Sequence, residues 1–188
     1  AILIIGLFMY DGVVALVDLQ FRKIQREDIT VSFLQNVPAS TRFELERMTG
    51  VTRVETYRAA PVRLRNAHWH REAAIQGLEG DGLLRRLVTA KGAVHPIPAQ
   101  GMVLSNVLAQ RLHVEIGDWL VVEMLEGKRQ RAQVQVAGII EDFLGVTAYM
   151  NLDALDRLSG EYDVVSGAYL SVLESQRNAL YRALKRVP

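Results

Sequence analysis

The stretch that decides the fold is residues 101–142, which read GMVLSNVLAQRLHVEIGDWLVVEMLEGKRQRAQVQVAGIIED. Apolar residues recur early in it at spacings of one, three and four, at Val103, Leu104, Val107, Leu108 and Leu112. This spacing predicts a helix with one apolar side, and it places Ser105, Gln110 and Arg111 outward.

A turn and a hairpin are predicted next in the same stretch. Gly117 and Asp118 mark the turn, because glycine tolerates a positive φ and aspartate bonds its own backbone. Two β-branched runs follow, at 119–124 and 132–140. Their alternation predicts a hairpin with valines such as Val134 on one face and glutamines on the other.

Before this stretch the pattern predicts a β-α-β unit. Alternating residues at 28–34 predict a strand, 40–48 a helix, and 51–58 a second strand. The two strands of such a unit lie in one sheet with a right-handed crossover.

The connection between the unit and the hairpin is predicted to contain three short pieces. Two are strands, at 61–65 and 68–76, with Trp69 packed inward. The third is a helical piece at 83–87, followed by an extended loop stiffened by two prolines at 96–98.

The end of the chain is predicted to repeat the strand-then-helix pattern. A short helix begins after its cap residue Asn151, and a strand follows at 164–173, weakened at Gly167. A final helix at 176–186 is predicted to be capped by Ser175. We therefore infer an α+β lobe built from both ends of the chain, with the residues between them inserted.

The composition is that of an ordinary folded protein. The chain has 188 residues, 49% hydrophobic and 23% charged, with a net charge of +1. Its basic residues form only short clusters, at 63–65, 128–131 and 182–186, so no nucleic-acid partner is expected. The absence of cysteine excludes disulfides and thiolate metal sites.

The first ten residues, AILIIGLFMY, carry no charge. A membrane span needs about 20 apolar residues, so a buried core helix and the apolar region of a signal peptide stay open as alternatives. We favour the outer end of a truncated membrane helix that continues as an amphipathic stalk.

One candidate metal site stands out in the sequence. His68 and His70 are one residue apart, so on a strand both would point the same way. No third ligand lies nearby, and the only later histidines are His95 and His113. A solvated strand face is therefore the favoured interpretation, and no metal or cofactor is assigned.

Candidate acid–base groups are equally sparse. The densest carboxylates are Glu141 with Asp142, and Glu161 near Asp163; both pairs lie beside glycines or turns, where solvated carboxylates are common. The sequence contains no cysteine nucleophile, no Gly-x-Ser-x-Gly elbow and no His-Glu-x-x-His motif. We expect no catalytic residue and no enzyme activity.

The order and spacing of motif residues resemble a known family. The matching residues are Gly101, Val103, Leu104, Ser105, Leu108, Ala109, Leu112, Val114, Gly117, Asp118, Val121, Val136, Ala137, Gly138, Tyr149 and Met150. In this order they resemble the extracytoplasmic domain of FtsX-like ABC-transporter permeases, which is similar to the MacB-type periplasmic core domain.

The resemblance implies a division of the chain. Residues 1–27 would form the end of a membrane helix and a stalk. Residues 28–78 together with 159–188 would form a porter-like lobe of β-α-β units. Residues 79–158 would form an inserted, strand-rich lobe.

The resemblance also implies a function. Such a domain belongs to a permease in the cytoplasmic (inner) membrane, faces the periplasm or cell exterior, and handles cargo or signals there. ATP would be hydrolysed by a separate ATP-binding cassette subunit, and a second permease copy or homologue and an extracytoplasmic partner are expected. The alternatives are a soluble metal-dependent hydrolase using His68 and His70, and a soluble binding module.

Overall fold

The computed structural model describes residues 27–88, 93–141 and 145–184. The predicted membrane helix and stalk at residues 1–27 lie outside the described residues except for Glu27, and Asp142 and residues 185–186 of the predicted final helix also lie outside them. Within the described ranges, no helix is long and apolar enough to cross a membrane.

Strands dominate the described residues. They are β1 (Ile29–Pro38), β2 (Val51–Asn66), β3 (Trp69–Leu78), β4 (Leu87–Val88), β5 (Val94–His95), β6 (Met102–Ser105), β7 (Trp119–Met124), β8 (Arg131–Ile140), β9 (Thr147–Asn151) and β10 (Val164–Val172). The helices are α1 (Thr41–Glu46), α2 (Asn106–Leu112), α3 (Leu152–Ser159) and α4 (Arg177–Leu184), and a 3₁₀ turn (Glu174–Gln176) precedes α4.

Eight of these strands form one sheet in the order β1-β10-β2-β3-β9-β6-β8-β7, and β4 pairs with β5 separately. Because β2 also pairs with β7, the six strands from β2 to β7 close into a barrel. β10 and β1 extend the sheet outward from the first half of β2.

The 16-residue strand β2 belongs to both parts of this sheet. On one edge it pairs with β10 over Val51–Tyr57 and with β7 over 62–65. On the opposite edge it pairs with β3 along 57–66 without interruption. On the first edge, β2 therefore changes its partner strand from β10 to β7 at residues 58–61, which we call the seam.

The seam is satisfied by individual hydrogen bonds. The Ala59 amide donates to Ser166 Oγ at 3.1 Å, and the Pro61 carbonyl accepts from the Leu125 amide at 3.0 Å. The Pro61 nitrogen carries no hydrogen to donate, and it faces the same edge at a position between the two ladders. Proline is therefore tolerated inside a strand here.

Three apolar clusters hold the layers together. The largest fills the barrel and includes Val62, Leu64, Ile75, Leu104, Leu120 and Leu155, all essentially buried. A second lies under the Tyr57 and Tyr169 rings. The third packs α1 and α4 against the extension of the sheet and includes Leu45, Val54, Leu170 and Leu180.

The predicted mixed, strand-rich fold is confirmed, and so is the placement of both chain ends in one sheet, since β1 pairs antiparallel with β10. The hairpin of β7 and β8 and the α3 cap Asn151, which accepts from the Asp153 amide, are also confirmed. The porter-like character of the lobe and the boundaries 28–78, 79–158 and 159–188 stay predictions.

The predicted helix beginning at residue 103 is wrong in its first turn. Met102–Ser105 is a strand, buried between β8 and β9, and the helix starts only at Asn106. A strand covered on both faces is apolar at every position, which the spacing does not distinguish from one side of a helix. Ser105 does not point outward: it is fully buried and caps α2 by accepting from the Leu108 amide.

The predicted helical piece at 83–87 is absent, and the chain bends there around a buried carboxylate. Leu83 and Leu84 donate their backbone N–H groups to Glu55 at 2.8 and 2.9 Å. The segment then extends into β4, where Leu87 pairs with His95.

Three further details of the sequence interpretation are corrected. Residues 61–65 continue β2 and are not a separate strand. Trp69 is not packed inward, since 37% of it is exposed at the end of the barrel. Ser175 lies inside the 3₁₀ turn and caps no helix.

Gly167 lies inside β10, as predicted, and the reason is a close approach. A Cβ at this position would come within 2.5 Å of the Tyr57 ring and would also meet the Val31 carbonyl oxygen. We expect Gly167→Ala to lower the free energy of unfolding by about 1–3 kcal/mol, the usual cost of overpacking.

Chemical denaturation of the variant and the wild type measures this loss. Equal unfolding free energies for the Gly167→Ala variant and the wild type would contradict this account of the glycine.

Candidate functional site

The segment that leads into β1 carries a carboxylate that joins three elements. Asp28 accepts the Val172 amide at the end of β10 at 2.7 Å and the Ser171 hydroxyl at 3.3 Å. Its other oxygen accepts from Arg177 at the start of α4 at 2.9 Å. The chain leading into β1 and the helix leaving β10 are thus held at one place.

The preceding residue ties the same segment to the loop after β3. Glu27 forms an ion pair with Arg85 at 3.2 Å, and their side chains are only 5% and 13% exposed. The Arg85 guanidinium also lies over the Tyr169 ring, 5.8 Å from its centroid. A cation on a tyrosine face is attracted by the ring quadrupole.

Two tyrosines continue this contact across the sheet. The Tyr57 and Tyr169 rings stack with centroids 4.7 Å apart. The Tyr57 hydroxyl bonds Ser32 Oγ at 2.7 Å, and Gln76 donates to the Tyr169 hydroxyl. Burial raises the pKa of Tyr169 above its usual value, so this phenol stays neutral and serves as a packing and hydrogen-bonding group.

A buried arginine at the seam links the sheet to α3. Arg58 is 3% exposed and donates to Asp156 at 3.2 Å, Ser159 Oγ at 2.9 Å, and the carbonyl and carboxylate of Glu161 at 2.9 and 2.5 Å. Burial raises the pKa of Asp156, and the Arg58 charge partly offsets this. Arg58 therefore fixes the end of α3 against the middle of β2.

These contacts form a continuous connection. It runs from the leading carboxylates Glu27 and Asp28, through the stacked tyrosines, to Arg58 at the seam, where β2 passes into the barrel. Packed side chains and ion pairs of this kind resist local deformation, so they hold the segment before β1, the tyrosine pair and the middle of β2 in fixed positions.

The two histidines considered as a candidate metal site, His68 and His70, lie on different elements. His68 lies in the turn after β2 with its ring 4.6 Å from Trp69, and His113 stacks against the same indole at 4.3 Å. His70 is on β3 opposite Arg65. Within the described residues, no group of three or more histidine, cysteine, aspartate or glutamate side chains is placed to hold a metal ion.

The motif residues of the resemblance fall in one region, around the parallel pair β6 and β8. Leu104, Ser105, Leu108 and Leu112 belong to β6 and α2, Gly138 to β8, and Tyr149 and Met150 to β9, all of them buried. Gly101 directly precedes β6. Gly117 adopts a φ of 101° in the turn, where Asp118 accepts the Glu115 amide.

The sequence interpretation missed the residues that carry the site. Asp28 and Arg58 were read as parts of ordinary strands. The sequence does contain one signal for Arg58, because this residue stands between Tyr57 and two alanines in β2. Nothing near Asp28 indicates its partners, which lie more than 140 residues away.

Arg58 offers a direct stability test. We expect Arg58→Ala to lower the free energy of unfolding by about 2–4 kcal/mol, because it removes a buried guanidinium and leaves Ser159 Oγ and the half-buried carboxylates of Asp156 and Glu161 without their donor. Arg42→Ala, which removes a two-fifths exposed arginine from ion pairs with Glu46 and Glu79, is the control and costs about 1 kcal/mol or less. Similar losses in urea unfolding for the two variants would contradict the role of Arg58.

The Asp28–Arg177 pair is tested by a double-mutant cycle. We expect Asp28→Asn and Arg177→Gln each to speed hydrogen exchange of the α4 amides by about two- to fivefold, since each removes the same ion pair. The double variant should be no faster than either single one. Arg182→Gln is the control, because Arg182 Nε donates to the Asn178 carbonyl within the same helix. Fully additive effects would show that the pair does not couple β1 to α4.

Comparison with known proteins gives a likeness of fold. No protein-family model matches the sequence, and no curated protein matches it. The structure is similar to the extracellular domain of the noncanonic ABC-type transporter YknZ from Gram-positive bacteria, with a TM-score of 0.54, 13% identity, and coverage of 80% of this chain and 87% of that one.

It is also similar to the periplasmic region of MacB from Actinobacillus actinomycetemcomitans, with a TM-score of 0.55, 12% identity, and coverage of 87% of this chain and 86% of that one. At these identities the likeness concerns the fold. The resemblance drawn from the sequence is thus confirmed at that level: this chain has the fold of the extracytoplasmic MacB-type domain of ABC-transporter permeases.

Proposed function

We propose that this chain is the extracytoplasmic domain of an ABC-transporter permease subunit that couples ATP-driven movement of membrane helices to cargo handling or signalling outside the membrane. The fold supports this, since one similar solved domain belongs to an ABC-type transporter and another is the periplasmic region of MacB. The motif order at residues 101–150 supports it independently.

The observation that carries the mechanism is the junction at Asp28. The segment leading into β1 and the helix leaving β10 are tied together by one carboxylate. If one membrane helix precedes β1 and another follows α4, any change in the distance between those two helices acts on this junction first. The stacked tyrosines and Arg58 then carry the displacement into the barrel.

The partners follow from this role. An ATP-binding cassette subunit supplies the hydrolysis, because the domain contributes structure and no chemistry. A second permease copy or homologue completes the membrane unit, and the barrel faces an extracytoplasmic partner or cargo. The apolar segment at residues 1–10 anchors the domain in the cytoplasmic membrane.

The metal-dependent hydrolase is the less supported alternative. It needs His68 and His70 to bind the same metal ion, yet His68 lies in a turn with its ring beside Trp69. A soluble binding module remains compatible with the fold of the domain, and it differs from the permease in predicting no membrane association.

The test is to express the full-length gene product in its own host with an affinity tag. We expect it in the membrane fraction, with the 27–184 region cut by protease added outside intact spheroplasts. We also expect an ATP-binding cassette subunit to co-purify after mild detergent extraction. A cytoplasmic ATPase subunit of an unrelated transporter serves as the control. Recovery of the protein in the soluble cytosol would contradict the proposal.

A further inference from the structure

A cleft on the outer wall of the barrel brings together two basic clusters that are 60 residues apart in the sequence. It lies over β2, β7 and the start of β8 and has a volume of about 380 Å³. We call it the arginine cleft; it is lined by Arg63, Glu123, Met124, Leu125, Arg129 and Arg131.

The strand register explains how this cleft is built. Arg63 on β2 is opposite Glu123 on β7, and Glu123 is opposite Arg131 on β8. Their side chains form ion pairs at 3.6 and 3.1 Å, and Arg65 approaches the same carboxylate at 3.9 Å. Side chains directly opposite on one face of a sheet lie close enough for such pairing.

The cleft holds more positive than negative charge. Glu123, with a side chain only 9% exposed, is shared by three guanidinium groups. Glu72 pairs with Arg63 at the rim. Arg129 makes no side-chain ion pair with any described residue, and Arg131 is 71% exposed. Each guanidinium has five N–H donors, so most of the donors here are not used within the domain.

The position of Glu123 limits what binds in the cleft. Neighbouring strands are about 4.8 Å apart, so the Cα atoms of Arg63 and Arg131, separated by β7, are roughly 10 Å apart, while both guanidinium groups reach the Glu123 carboxylate between them. A compact, multiply charged anion centred between them would meet the Glu123 carboxylate and be repelled. Separate single charges on either side of Glu123 avoid this repulsion, as the carboxylates of an extended peptide would.

We propose that the arginine cleft binds an acidic polypeptide segment of a partner, whose spaced carboxylates pair with Arg129 and Arg131 in the cleft and with Arg65 beside it. Arginine suits this role because its planar fork donates two parallel hydrogen bonds to one carboxylate. The inference stands on the charges and geometry of the cleft and is independent of the proposed function.

The experiment measures binding of a fluorescein-labelled hexaglutamate peptide to the full chain by anisotropy. We expect saturable binding that weakens as salt rises and falls at least tenfold in the Arg129→Gln/Arg131→Gln double variant. The matched control, Arg111→Gln/Arg157→Gln, removes two exposed arginines from α2 and α3 and should bind like the wild type. Retained binding by the first variant, or an equal loss in the control, overturns the proposal.

A second variant separates binding from stability. Glu123→Gln removes the carboxylate that competes for the arginines, so it should bind the peptide several-fold more tightly even as the melting temperature falls. A purely structural role for Glu123 predicts no gain in binding, and that result overturns the proposal. Phosphatidylglycerol vesicles and inorganic phosphate are the competing probes; the proposal also fails if either binds in an arginine-dependent way while the peptide does not.

Discussion

The whole domain depends on one strand, β2, having two successive partners on the same edge. Its first half pairs with β10 and its second half with β7, while β3 follows it on the other side. Backbone hydrogen-bonding groups left unpaired inside a protein are costly, so this change of partner is possible only because the seam is satisfied locally. Ser166 Oγ accepts the Ala59 amide, and the Leu125 amide donates to the Pro61 carbonyl.

The arrangement of buried charge follows the same strand. Glu55 fixes the loop after β3 through the Leu83 and Leu84 amides, and Arg58, three residues later, fixes the end of α3. Each is compensated by several partners, which is the condition for holding a charge away from water. As a result, the loop after β3 and the end of α3 are both attached to β2 by buried, charge-assisted hydrogen bonds.

Local patterns predicted those parts of the fold in which neighbours in sequence are neighbours in space. The β7–β8 hairpin was correct because alternating residues such as Val134 and Val136 face one side only. The strand at residues 102–105 was missed because a short run buried on both faces has no alternation. The β2–β7 pairing and the Asp28 and Arg58 contacts join residues about 60 to 150 positions apart, and no local spacing encodes such pairs.

If β2 joins the barrel and the outer strands β1 and β10 into one rigid unit, the distance between a label on each part should have a single value. The chain has no cysteine, so Arg47→Cys beside α1 and Arg111→Cys on α2, both exposed, take spin labels without background. Pulsed electron–electron double resonance then measures their separation. The account predicts one narrow distance distribution; a broad or two-peaked distribution would show that the parts move independently, and would contradict it.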